Sequence, residues 1–318
     1  MWIGFFSGVA GCALWGFIYL VPLLLPEYNP VSLAMGRFTF FGVGSLFLWF
    51  RYREDLLRLR FDDWLEAFKL GFIGNAIYYV FLSHGIQFSG APLAGMLMAL
   101  IPVLVALITN RVSDENDLVI PWRKLWIPLA MIIVGLLTAN ITEFELVTTE
   151  GSSKQFWVGA VSSTIAVLIW TWFPIKNARW QQNHPKISPF AWTTAQGIIM
   201  LPMTIILLMV INAENVFAGI NFFGPAPKEY ILLMFAAGIV CGWGGMALWN
   251  NMSARLPIAL SGQMIVFETI FSVIYAHVYR GEWPSVTMVV GCALLLTGVL
   301  LSLKFFRSEK RRQLLSHD

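Results

Sequence analysis

A carboxylate in the middle of an apolar run is the residue of this sequence best placed to do chemistry. Glu268 lies eleven residues into the stretch 257–279. As a helix, that is a rise of about 16 Å, close to the centre of a bilayer. A charge at that depth costs about 2.5–3.5 kcal/mol or more. In a continuous helix Ser261, Met264, Ser272 and Tyr275 would share a stripe with Glu268, at steps of three or four residues. Two roles fit such an acid. It carries a proton or touches a substrate, or it holds two helices together through a hydrogen bond.

Other polar and aromatic residues interrupt apolar runs at similar depth. They are Trp15 and Tyr19, Asn75 with Tyr78 and Tyr79, Trp170, Trp243 with Asn250, and Gln263 and Tyr275 around Glu268. Trp and Tyr normally mark the lipid–water interface. That explanation suits Trp2, Trp122, Trp126, Trp157 and Trp283, but not Trp15 or Trp243. Aromatic rings around a polar cavity hold a flat ring or an ammonium group. These eleven residues form the candidate substrate-binding set, and Glu268 is also the candidate for coupling. Arg37 is read as an anchor, with Glu27 the nearest acid outside its span. Pro102 is placed as a mid-membrane pivot or static kink, beside Pro174 and Pro202 in other runs.

The four His residues fall at or beyond the ends of apolar runs, with no His-Glu-x-x-His spacing. The sequence therefore assigns no catalytic residue, metal or cofactor. Direct ATP drive is not expected either, because the Gly-rich Lys-Ser/Thr phosphate loop is missing. Cys12, Cys241 and Cys292 lie within apolar runs and suggest no disulfide framework.

The elements that must position these groups are long apolar helices. Charged residues are only 12% of the chain and apolar residues 58%, against about 25% and 45–50% in soluble domains. Ten stretches are long enough to cross about 30 Å of hydrocarbon. They are 2–25, 32–50, 64–87, 91–111, 121–140, 156–175, 189–212, 228–252, 257–279 and 284–306. The first is read as a retained helix rather than a signal peptide. With the N-terminus inside, the inner loops and tail hold sixteen Lys and Arg, and the outer loops only Lys154, Lys228 and Arg280. The positive-inside rule then puts both termini in the cytoplasm. The net charge of +3 belongs to this asymmetry. The partners expected are the bilayer, a small-molecule substrate and protons, not nucleic acid. A monomer or weak dimer is expected.

The Thr-, Glu- and Ser-rich segment 141–155 divides the spans into two groups of five. An odd number per half makes the halves antiparallel, the inverted-repeat plan of many transporters. The expected units are 1–145 and 146–318, the second with a short basic tail. A short internal match supports this: Ala94-Gly95-Met96 before Ile101-Pro102, and Ser261-Gly262-Gln263 before Glu268-Thr269.

Several local patterns together resemble the EamA-type members of the drug/metabolite transporter superfamily. They are Ala13-Leu14-Trp15-Gly16, Pro30-Val31-Ser32-Leu33 before Arg37-Phe38, Ala91-Pro92-Leu93-Ala94 through Pro102, and Gly281-Glu282-Trp283-Pro284. Many relatives have Glu-Pro where this chain has Glu268-Thr269, so a matching kink is not expected. The segment 112–120 is also acidic and irregular where the family carries a basic turn. The resemblance implies ten helices in two inverted repeats around a central cavity, with alternating access for small metabolites. Amino-acid export is the leading expectation, with aromatic amino-acid exporters as the analogy. The alternatives are an importer or facilitator of a small cationic or amine solute, and an intramembrane enzyme. A receptor or scaffold would be expected to carry a sizeable soluble domain or a long tail.

Overall fold

The computed structural model describes residues 2–18, 20–25, 27–98, 100–111, 121–139, 154–281 and 283–316. Tyr19, most of the segment 141–155 and the acidic segment 112–120 lie outside the described residues. The regular elements are all helical and include no strand among the described residues. Eight described helices are long and apolar enough to cross a membrane, and Trp2–Ile18 is a shorter apolar one. The chain is an all-α integral membrane protein. Helices suit that solvent because every backbone bond closes within the segment.

The helices are α1 (Trp2–Ile18), α2 (Val21–Leu24), α3 (Pro30–Leu56), α4 (Phe61–Phe68), α5 (Tyr78–Met98), α6 (Ile101–Arg111) and α7 (Trp122–Ala139). There follow α8 (Lys154–Asn183), α9 (Pro189–Phe217), α10 (Pro227–Phe235), α11 (Gly245–Ser253), α12 (Ile258–Gln263), α13 (Val266–Arg280) and α14 (Val286–Ser316). A wide π-helical segment, Lys69–Ile77, joins α4 to α5, and a second, Ala236–Gly244, joins α10 to α11. Helices α3 and α9 start alike. The Asn29 side chain accepts from the Val31 amide at 2.8 Å, and Ser188 Oγ from the Phe190 amide at 3.3 Å. Each cap is followed by a proline, whose missing N–H costs nothing in a first turn.

The backbone departs from the expected spans in three places. The first run is helical only to Ile18 before the short α2. The expected loop near 88–90 is helical, and the backbone continues to Met98. Ser89 turns its hydroxyl back onto the Gly85 carbonyl at 2.8 Å. A Cβ on Gly159 would stand 2.7 Å from Ser89 Cβ. Close packing on α8 therefore outweighs the local turn signal. Pro102 is the second residue of α6 rather than a mid-helix kink.

The third departure matters most. The ninth run is broken between Gln263 and Val266. Tight turns carry the chain across, with Phe267 N on Met264 O (3.0 Å) and Glu268 N on Ile265 O (2.9 Å). The break separates Ser261 and Met264 from Glu268, Ser272 and Tyr275, so the expected unbroken stripe does not exist. Glu268 instead sits in the first turn of a new helix.

Packing follows a regular scheme. Helix α3 runs along α9, α5 along α8, and α7 along α14. Helix α1 lies against α11 and α13, and α6 against α12 and α8. Glycines let the backbones approach. A Cβ on Gly16 would stand 2.7 Å from Phe271 Cβ and 2.9 Å from the Ser272 amide. At Gly238 it would overlap the Arg37 carbonyl oxygen and lie 2.6 Å from Phe40 Cβ. Gly238→Leu is therefore expected to abolish the monodisperse folded peak in detergent size-exclusion chromatography. A normal peak would show that α3 and the second π segment can separate without cost.

Candidate substrate site

Aromatic residues of four spans converge. Trp15 of α1 meets Trp249 of α11 at 5.1 Å between ring centroids and Trp170 of α8 at 5.9 Å. Tyr78 stacks on Trp170 at 4.7 Å and 15°, and Trp170 on Phe173 at 4.8 Å and 3°. All five rings are buried. A Cβ on Gly245 would run into the Trp15 indole, so that glycine admits the ring. Trp→Ala in a packed core costs about 3–5 kcal/mol. Trp170→Ala, which removes the ring shared by three contacts, is expected to lower the detergent melting temperature by several degrees. Trp172→Ala, on a half-buried neighbour, serves as the control, and an equal loss in both would deny Trp170 its central place.

The charged groups flank this stack. The Arg37 guanidinium lies 5.8 Å from the centroid of the Tyr79 ring and 4.8 Å from that of Phe38. Its Nε is buried without a hydrogen-bond partner. Arg37 thus lies against the ring of its own neighbour Phe38 and that of Tyr79 in the third span. Glu268 is half-buried, within electrostatic reach of Arg37, Tyr78 and Cys12. The Cys12 thiol donates to the Met264 carbonyl at the helix break (3.3 Å), tying α1 to that turn. Gln263 and Ser261, just before the break, are fully buried. Neither amide atom of Gln263, nor the Ser261 hydroxyl, has a hydrogen-bond partner. Such groups in an interior call for a ligand, water or movement.

The remaining candidates are placed otherwise. Asn75 gives its amide to the Leu70 carbonyl (3.1 Å), across the π segment of its own helix. Tyr275 packs on Phe271 and Phe17 toward the end of α13. Trp243 lies with Tyr52 and Phe190, near the C-terminal end of α3 and the start of α9, and donates to Thr194 Oγ1 at 3.2 Å. Asn250 belongs to a buried network at the basic end of the bundle. It accepts from Asn177 Nδ2 (2.7 Å) and donates to Thr193 Oγ1 (2.8 Å). Asn177 Oδ1 in turn accepts from Trp192 Nε1 (3.0 Å) and Gln196 Nε2 (3.1 Å). Trp192 stacks on Trp180, whose Nε1 donates to Asp63 Oδ1 at 3.2 Å. A pocket of about 500 Å³ opens at this same end, lined by residues 50–55 and Ser188.

Sequence reasoning passed over Phe173, Asn177 and Gln196, and left Trp249 outside the candidate set. Asn177 reads as interfacial because Lys176 and Arg179 flank it. The signal for Trp249 was its spacing, four residues from Gly245 and one before Asn250.

These features define a multi-pass helical membrane protein with charge and aromatic rings gathered in its interior. A family model, the EamA-like transporter family, matches residues 2–141. The Escherichia coli (strain K12) inner membrane protein YtfF is 33% identical over 295 residues, covering 92% of each chain. The chain belongs to the EamA-like transporter family, within the drug/metabolite transporter superfamily. A protein crystal structure with 18% identity superposes at a TM-score of 0.69, covering 96% of this chain and 98% of that one, and so shares the fold.

Proposed function

We propose that this protein is a secondary transporter of the inner membrane that exports amino acids or related small metabolites by alternating access, with Glu268 as the proton-coupling group. Residues 1–145 and 146–318 form two inverted five-helix repeats, and both termini are cytoplasmic.

The observation that carries this reading is the reciprocity of helix contacts. The first span packs on the eighth (α1 with α11), and the third on the sixth (α5 with α8). Exchanging the halves turns each pair into the other. The first span also meets the ninth, and the fourth meets the sixth, again a matched pair. The second pairs with the seventh, the fourth with the ninth, and the fifth with the tenth, each its own counterpart. The capped prolines of α3 and α9, and the π segments of the third and eighth spans, add to it. Such paired halves can rock about a midplane site. The buried network at the basic end, from Asp63 to Asn250, would then close the cytoplasmic side.

Flux in proteoliposomes tests the reading. Counterflow of an amino acid across sealed vesicles, stimulated by a pH gradient, is the expected result. Intact folded protein that moves none of a broad panel of amino acids, amines and nucleosides would overturn it. Labelling of single cysteines at Lys154 and Arg312 tests the topology. Only the first is expected to react from the periplasmic side.

A second reading, a facilitator for small amines, is favoured by one observation: a carboxylate beside a stack of rings. Ammonium groups bind in such surroundings.

A further inference from the structure

The cavity at the basic end of the bundle is not used by the transport cycle above. It has a volume of about 500 Å³ and is lined by residues 50–55 at the end of α3 and by Ser188, just before α9. Phe47, Phe50 and Arg51 share one face of α3, and Arg53 lies three residues past Phe50. Phe47 is 76% exposed and Phe50 77%. An apolar stripe open to the hydrocarbon therefore runs up to two exposed arginines. The walls of the cavity are tied together. Asp55 Oδ2 accepts from the Ser188 amide at 3.0 Å, and its Oδ1 lies 3.6 Å from Arg58 Nη1. Tyr52 stacks on Phe190 across the same joint at 6.3 Å and 10°. Asp55 is thus engaged. Among the described residues no carboxylate forms an ion pair with Arg51 or Arg53, and the Arg51 guanidinium rests 5.6 Å from the Tyr52 ring centroid. Two cations stand there against one uncommitted acid, Glu54.

We propose that this cavity binds the headgroup phosphate of an anionic membrane phospholipid, with the acyl chains lying along Phe50 and Phe47. A guanidinium takes a phosphate through paired, charge-assisted hydrogen bonds. Basic pockets at the cytoplasmic ends of membrane helices suit such headgroups. A free phosphate would meet the arginines alone. A lipid also covers the apolar stripe beside them, and that stripe is what selects it. Glu54 works against the anion, so its charge lowers the affinity of the site. The cavity sits on the joint between Asp55 and Ser188, so a bound lipid holds the second and seventh spans together at this end. The site goes beyond the transporter reading and does not depend on it.

The test uses the full chain, purified in detergent and titrated with phosphatidylglycerol or phosphatidylcholine, with bound lipid counted by native mass spectrometry. Phosphatidylglycerol is expected to bind in preference and to raise the melting temperature, since a ligand of the folded state stabilises it. Arg51→Gln and Arg53→Gln are each expected to lower its affinity about fivefold, the equivalent of about 1 kcal/mol for each basic side chain. Glu54→Gln is expected to raise the affinity, a gain that a misfolded variant would not give. Arg123→Gln combined with Lys304→Gln removes two exposed cations outside the cavity and is expected to leave binding unchanged. Equal binding of the two lipids overturns the site. So does an equal loss in the control and in the arginine variants, which would mean diffuse attraction to the basic surface. Soluble glycerol 3-phosphate supplies the last arm and is expected not to displace the lipid. Displacement at a concentration comparable to that of the lipid would make the occupant a free phosphate and overturn the lipid assignment.

Discussion

Glu268→Gln is expected to lower proton-driven flux at least tenfold and to flatten its dependence on pH, with the protein still folded. The variant keeps the size and hydrogen-bonding capacity of the side chain and removes its charge and exchangeable proton. A purely structural acid would tolerate that change. A coupling acid would not, because a proton gradient can do work only through a group that takes up and releases protons during the cycle. Its setting favours the second role. It begins a helix after a break, where the N-terminal amides of α13 stabilise negative charge. It lies within electrostatic reach of Arg37 and Tyr78, so its protonation changes the field at the aromatic stack. Counterflow without a gradient separates the functions. Exchange that survives while gradient-driven accumulation disappears assigns the proton to Glu268. Full accumulation with the wild-type pH profile would assign coupling elsewhere.

Asn177→Leu is expected to destabilise the protein by about 3 kcal/mol, read as a melting temperature lower by several degrees. Orphaned buried polar groups cost about 1–3 kcal/mol each. The substitution would strip partners from Trp192 Nε1, Gln196 Nε2 and Asn250 Oδ1, all on fully buried residues. Hydrogen bonds between membrane helices average nearer 0.6 kcal/mol, so the orphans dominate the loss. Asn177→Leu combined with Asn250→Leu should cost less than the sum of the two singles, since one shared bond is broken only once. If this network closes the basic end, a cysteine placed near Thr193 should also label faster from the cytoplasmic side in the variant. Unchanged stability and labelling would show that water replaces the asparagine without difficulty.

The architecture was legible where physics is collective. Long apolar runs and the charge of their loops identify membrane helices without reference to any single residue. Interruptions were less legible, because they depend on neighbours distant in sequence. Ser89 and Gly90 read as a loop, yet close packing against Gly159 draws that backbone into a helix. Nothing local in Met264-Ile265 announces a break, and no proline marks it. The Cys12 thiol that bonds the Met264 carbonyl there comes from a residue 252 positions away. Depth along a helix singled out Trp15, Tyr78 and Trp170, whose rings the fold brings together. Depth does not give azimuth, however. Asn75 faces its own backbone, Asn250 a polar lattice, and Trp243 a different aromatic group.

The π segment Lys69–Ile77 has a consequence for how such chains can change length. It keeps one more residue per turn than an ordinary helix needs. Asn75, bonded five residues back to Leu70, lies across the widened turn. A deletion elsewhere in the span would turn everything beyond it by about 100°. A single deletion inside this segment is absorbed instead, because the wide turn closes to an ordinary α-helical one. Tyr78 then stays on Trp170, and Tyr79 beside Arg37. Homologues one residue shorter at this point would thus present the same faces to the interior, and homologues one residue shorter elsewhere in the span would not.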